Sequence, residues 1–173
     1  RPRPSASRRE PPGCVRFLAV SLRLLAALCL PVLVSYAAAQ SRVVINEIHF
    51  DPAEKKPLEF VELHNASATG AALNGWQLGK FRFGTTVIVP PGGFVVVAVN
   101  PEAFQKTFGF APLGPLPGRL KNEGERISLR DASGRVVDEV RYGVTPPWPT
   151  APLGAGSSLE RVHPNLPAAL PSS

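Results

Sequence analysis

The 173-residue chain contains no methionine at all, which bears on where its translation begins. The sequence reads as a fragment, or as a reading frame whose start is misplaced. In a bacterial source Val15, read from an alternative start codon, would open a compact signal peptide at Val15-Arg16-Phe17-Leu18. Cysteine is nearly as scarce. Cys14 and Cys29 both fall in the first 39 residues, so the chain from Gln40 onward forms no disulfide and no thiolate metal site. That part must rely on its apolar core, and the 125 residues from Ser41 to Asn165 suffice to build one. Long apolar runs are missing too. The run Leu24 to Val34 holds Pro31 and falls short of the ~20 residues a membrane span needs. No Gly-x-Ser-x-Gly elbow, phosphate loop or zinc-protease helix occurs, which removes the commonest signatures of an enzyme.

Charge of one sign is in excess overall, at +6, but not in the body of the chain. Six arginines and one glutamate lie in residues 1–39, leaving thirteen basic and twelve acidic side chains after them. So even a balance carries no general footprint for a polyanion and argues against nucleic acid as the partner, although a local patch stays open.

The leader has the three parts of a secretory signal. Arg16 and Arg23 precede the Leu24 to Val34 run, and Ser35-Tyr36-Ala37-Ala38-Ala39 offers an Ala-x-Ala exit with cleavage after Ala39. This predicts export to the periplasm, cell surface or medium, with no membrane span left after cleavage. Cys29 does not suit a lipoprotein signal, because bulky Leu28 precedes it.

Beyond Gln40 the pattern is short apolar runs between turn residues. Twenty Pro and fifteen Gly favour strands and turns over long helices. Strands are expected at Val43–Phe50, Glu59–His64, Trp76–Leu78, Thr85–Val89, Phe94–Val99, Arg126–Arg130, Val136–Tyr142 and Ser158–Val162. Asp131-Ala132-Ser133-Gly134 reads as a hairpin turn. The unbroken apolar run Phe94 to Val99 predicts a central strand buried on both faces. Pro101 to Phe108 holds the one helical turn, with Phe104 and Phe108 on one face. The architecture is therefore all-β, a sandwich or barrel. The organisation is a leader over 1–39, a β-domain over 40–164, and a Pro/Ala-rich linker or truncated continuation over 165–173.

Three segments in order, Ile45-Asn46-Glu47-Ile48, Glu59-Phe60-Val61-Glu62-Leu63 with Asn65, and Leu73-x-Gly75-Trp76-x-Leu78, resemble the opening strands of a lamin tail domain. Pro91-Gly92-Gly93, Leu120-x-Asn122-x-Gly124-Glu125, Ile127-x-Leu129-x-Asp131, Gly134-x-Val136-Val137-Asp138, Pro147-Trp148-Pro149 and Gly156-x-Ser158-Leu159-Glu160 extend the likeness over roughly Arg42 to Pro164. The chain is similar to the exported bacterial type, which lacks a coiled-coil rod. The resemblance implies an immunoglobulin-like β-sandwich that recognises or positions something and is not an enzyme. It implies no cofactor. The partner expected is a protein or a polysaccharide, with further domains of the same polypeptide. The alternative is the front accessory module of a larger exported enzyme, kinase-like, nuclease or hydrolase. His64 and His163 depart from the pattern, and Lys55-Lys56 replace the acids usual in the first loop. Trp76 is large enough to fill the space between two sheets. Asn65 and Asn122 are expected to bond neighbouring turn backbone. Glu47 and Glu62 are expected to cap loop amides or pair with arginine.

Candidates for chemistry are few. His49, His64 and His163 lack any metal-site spacing, and Asp51, Glu54 and Glu59 share their loop with two lysines that oppose calcium. Asn65-Ala66-Ser67 matches an N-glycosylation sequon. The candidate partner-binding residues are Phe81, Arg82, Phe83 and Trp148, since interface centres favour aromatics and arginine. The competing reading of Trp148 is a plug at the end of the core.

Overall fold

The computed structural model describes residues 42–53, 56–84, 87–149, 152 and 155–165. The expected leader, both cysteines, Glu54, Thr85 and residues 166–173 of the tail lie outside the described residues.

The first strand, β1 (Val43–His49), is rich in β-branched residues that favour extended backbone. Strict alternation would send Val43, Ile45, Glu47 and His49 to one face. A bulge prevents this: the register with β2 (Phe60–Asn65) shifts between Ile45 and Glu47. The extra residue reverses the facing, so Val43, Ile45, Ile48 and Phe50 all reach the core at 3 % exposure or less.

Two four-stranded antiparallel sheets follow. One has the order β10-β1-β2-β7, with β7 at Phe94–Ala98 and β10 at Leu159–Glu160. The other has the order β5-β4-β8-β9, from β4 (Gln77–Leu78), β5 (Phe81–Arg82), β8 (Arg126–Arg130) and β9 (Val136–Arg141). Short strands β3 (Ala71–Ala72) and β6 (Ile88–Val89) pair with each other. The inner faces close on one core that includes Leu63, Leu73, Leu78, Leu129 and Val97. This is the immunoglobulin-like β-sandwich expected from the sequence, and Trp76 is buried in its core.

The β8–β9 hairpin turns where expected. Gly134 N–H donates to Asp131 O at 2.9 Å, and the Asp131 carboxylate accepts from Ser133 and Arg135. Those bonds, the Ser133 hydroxyl foremost, hold the Asp131 carboxyl down at about 2.

Strand β7 is not central. It is the last strand of its sheet, and Phe94 is 54 % exposed. Its second half is nevertheless buried on both sides, because α1 (Pro101–Phe108) covers the outer face there. Phe104 packs on Phe60, Val96 and Ala98 in a small second core. The helix is well delimited. Asn100 accepts from Ala103 N–H at 3.0 Å, Pro101 occupies the first turn, and Gly109 ends the helix at φ 83°. Phe108 stacks near Phe104 but stays partly exposed, so the aromatic face of the helix is only half covered.

Candidate binding surfaces

Buried Glu59 and half-buried Asp138 are structural ties. Glu59 accepts from Arg119 Nε at 2.7 Å and from Leu120 N–H at 2.8 Å, fixing the loop before β8 to the start of β2. Asp138 accepts from Ile45 N–H and from Arg161 Nη2, each at 2.7 Å, joining β9 to β1 across the sandwich. These two do what was expected of Glu47 and Glu62. Glu47 instead accepts from the Ser158 hydroxyl, and Glu62 from Asn46 Nδ2 at 3.0 Å. The pairing register sets Glu62, Glu47 and Glu160 side by side on three adjacent strands. Burial, with Glu47 and Glu160 adding to it against the Asn46 bond, pushes the Glu62 carboxyl above its ordinary range.

The histidines do not gather. His49 is buried between Leu58 O at 3.1 Å and Gly156 O at 3.2 Å. His64 stacks on Phe94 with ring centroids 4.5 Å apart, and its burial lowers its pKa. His163 is exposed, and its Nδ1 lies 3.1 Å from Asn165 N–H. Asp51 accepts from Asn122 Nδ2 at 2.7 Å, so Asn122 bonds a side chain where turn backbone was expected. Among the described residues no group of three or more His, Cys, Asp and Glu side chains fits a metal ion.

Asn65 of the sequon is fully buried. Its amide nitrogen donates to Thr69 O, Val89 O and Pro90 O at 2.8, 2.9 and 3.1 Å, and its oxygen accepts from Ser67. That is the turn-bonding role expected of Asn65, and it leaves the folded sequon no nitrogen to modify.

The four candidate partner residues do not form one patch. Phe83 belongs to the core at 2 % exposure, with Phe81 set edge-on to it at 5.1 Å. Arg82 points outward from β5, where its Nη1 donates to Gly75 O at 3.3 Å. Trp148 lies beyond β9, at the opposite edge of the same sheet, half-buried against the core.

Sequence reasoning missed the arginines that share a face with Arg82. Gln77 pairs with both Arg82 and Arg130, while Arg126 directly opposes Arg141. Partners in register point to the same side. The outer face of this sheet thus carries four arginines against Glu139, and the outer face of the other carries the Glu62–Glu47–Glu160 row. The nearly neutral body is electrically two-sided. The signal was present in the alternation Arg126-Ile127-Ser128-Leu129-Arg130, which places every second residue in solvent.

A family model described as Lamin Tail Domain matches residues 36–144. Strand β10 lies past that match yet completes the sheet on β1. A search of curated proteins finds no match.

Proposed function

The chain belongs to the lamin tail domain family, and from that premise we propose that it is an exported, non-catalytic module that binds a protein or a polysaccharide, or positions a neighbouring domain. The observation that carries this reading is the use made of Glu59 and Asp138. Glu59 and Asp138 are each held by an arginine and a backbone amide. A general acid or base needs an open approach to substrate and a proton to exchange with it. These two carboxylates are committed to holding strands and loops together. The exposed surface carries arginines and half-covered aromatics instead, the chemistry of recognition.

Export rests on the signal-like leader, and its test is direct. The full chain, expressed with its leader in an exporting bacterial host, is expected outside the cytoplasm with Gln40 as its first residue. Retention of the uncleaved precursor in the cytoplasm would overturn export. For binding, the immobilised full chain is offered a panel of polysaccharides and an exported-protein fraction. Saturable retention with no release of cleaved fragments is the expected result. Sustained product release would make the chain an enzyme.

A further inference from the structure

The outward basic residues are concentrated where Arg126 and Arg141 face each other across β8 and β9. Like charges opposed in this way weaken a ladder. Arg126 is drawn toward Glu139 at 3.3 Å, and Arg141 remains exposed beside it. Both arginines line a broad open groove of about 880 Å³, together with Lys121, Glu123, Glu125 and Trp148. Trp148 is held in place by a missing side chain. A Cβ on Gly143 would sit 2.9 Å from Trp148 Cδ1, so only glycine admits the indole this close. Trp148 is half-buried against the core and is one of the residues that line the groove.

An indole plate beside two arginines and a lysine suits a ligand with apolar ring faces and spaced anionic groups. The apolar face of a pyranose ring stacks on indole, and the guanidinium fork takes a carboxylate through two parallel hydrogen bonds. We propose that this groove binds an acidic polysaccharide, with Trp148 against a sugar ring and Arg126 and Arg141 on its carboxylates. The proposal rests on the reading of the chain as a binding module and names its ligand class.

The same surface disfavours nucleic acid. Glu123, Glu125 and Glu139 stand among the cations, and a polysaccharide offers them hydroxyl donors on every ring, which a deoxyribose–phosphate backbone does not. Sugar hydroxyls donate to such carboxylates. Single strands also want successive aromatic platforms. The other aromatic residue of the groove, Tyr142, is buried and donates to Lys121 O at 2.8 Å.

The test uses the full chain with three probes at one ionic strength: polygalacturonate, uncharged dextran and double-stranded DNA. Polygalacturonate is expected to bind, to perturb tryptophan fluorescence, and to outcompete DNA, while dextran does not bind. The double variant Arg126→Gln/Arg141→Gln should weaken polygalacturonate binding by about tenfold or more with a melting temperature no lower than that of the parent, since each lost charge-assisted bond counts and the repulsion across the ladder is relieved. Trp148→Phe keeps a ring in place and should abolish the fluorescence response. Arg8→Gln/Arg9→Gln, in the basic leader, should leave binding unchanged. The inference is overturned if polygalacturonate fails to bind, if binding survives the Arg126/Arg141 change, if it falls with the leader variant, or if DNA binds more tightly. Binding that survives the Arg126/Arg141 change would still leave the module reading intact, with its site elsewhere. Failure of the capture experiment above removes the module reading separately.

Discussion

Asp138 and Arg161 meet at 2.7 Å inside the sandwich, with the arginine side chain only 5 % exposed. The same carboxylate oxygen takes the Ile45 amide, so one group ties β9, β1 and the segment after β10 together. A buried pair of this kind adds little over apolar residues of the same shape, because both charges are desolvated. Removal of one partner leaves the other stranded. Asp138→Ala is therefore expected to destabilise the chain by about 3–5 kcal/mol in chemical denaturation. The double change Asp138→Leu/Arg161→Met should cost less than Asp138→Ala alone. A double variant worse than the single would mean that the attraction outweighs desolvation here.

Trp76 is the largest side chain in the main core. Its backbone is also pinned, with Trp76 N–H on Leu73 O and Phe83 N–H on Trp76 O, both at 2.9 Å. The ring cannot be replaced by a local collapse when the backbone on both sides is held. Trp76→Ala should cost about 3–5 kcal/mol, the range for emptying an aromatic site in a packed core. A denaturation midpoint equal to that of the parent would place Trp76 outside the load on the core.

Glu62 links stability to pH. Burial and the carboxylates beside it raise its folded pKa above the ordinary glutamate range. A group with a raised folded pKa binds its proton more tightly in the fold. Its stabilising contribution is complete below the unfolded value and is lost as pH climbs through the folded one. Glu62→Gln keeps an acceptor for Asn46 and removes the titration. The stability of the parent relative to this variant should thus decline as pH climbs above the ordinary glutamate pKa. A difference that is flat with pH, or that grows, contradicts the geometry of the acidic row.

Much of this fold is legible from local pattern. The alternation in β8, the turn at Asp131–Gly134 and the helix start at Asn100-Pro101 all follow from rules that act over a few residues. What escaped is set by neighbours distant in sequence. Phe94-Val95-Val96-Val97-Ala98 reads as a central strand because its apolar run is unbroken, yet the cover on its outer face is a helix, and nothing in the run reveals an edge. Phe81 and Phe83 flank an outward Arg82, but a two-residue strand is too short for alternation to say how deep either ring goes. The Arg126–Arg141 pair joins two strands whose register no single segment encodes. The acids were harder still. Glu59 meets Arg119 across 60 residues of chain, while Glu47 and Glu62, the more conspicuous in the motif, face each other instead.

Asn65 tests whether the sequon position is structural. Its side chain spans the turn after β2 and the end of β6, with Thr69 O, Val89 O and Pro90 O all facing one amide nitrogen. Asn65 O–C is held as well, by the backbone amide of Gly92 at 2.9 Å, so the residue sits in a fixed frame. Truncation to alanine removes the one donor shared by the Thr69, Val89 and Pro90 carbonyls, and the Ser67 amide loses its acceptor. Each buried group so orphaned costs about 1–3 kcal/mol. Asn65→Ala should lower the melting temperature sharply, and Asn65→Asp should do the same, since a carboxylate cannot donate to three carbonyls. Expression in a glycosylating host should give folded protein with no mass added at Asn65. Folded, glycosylated protein of parental stability would show that the side chain is free to leave the turn.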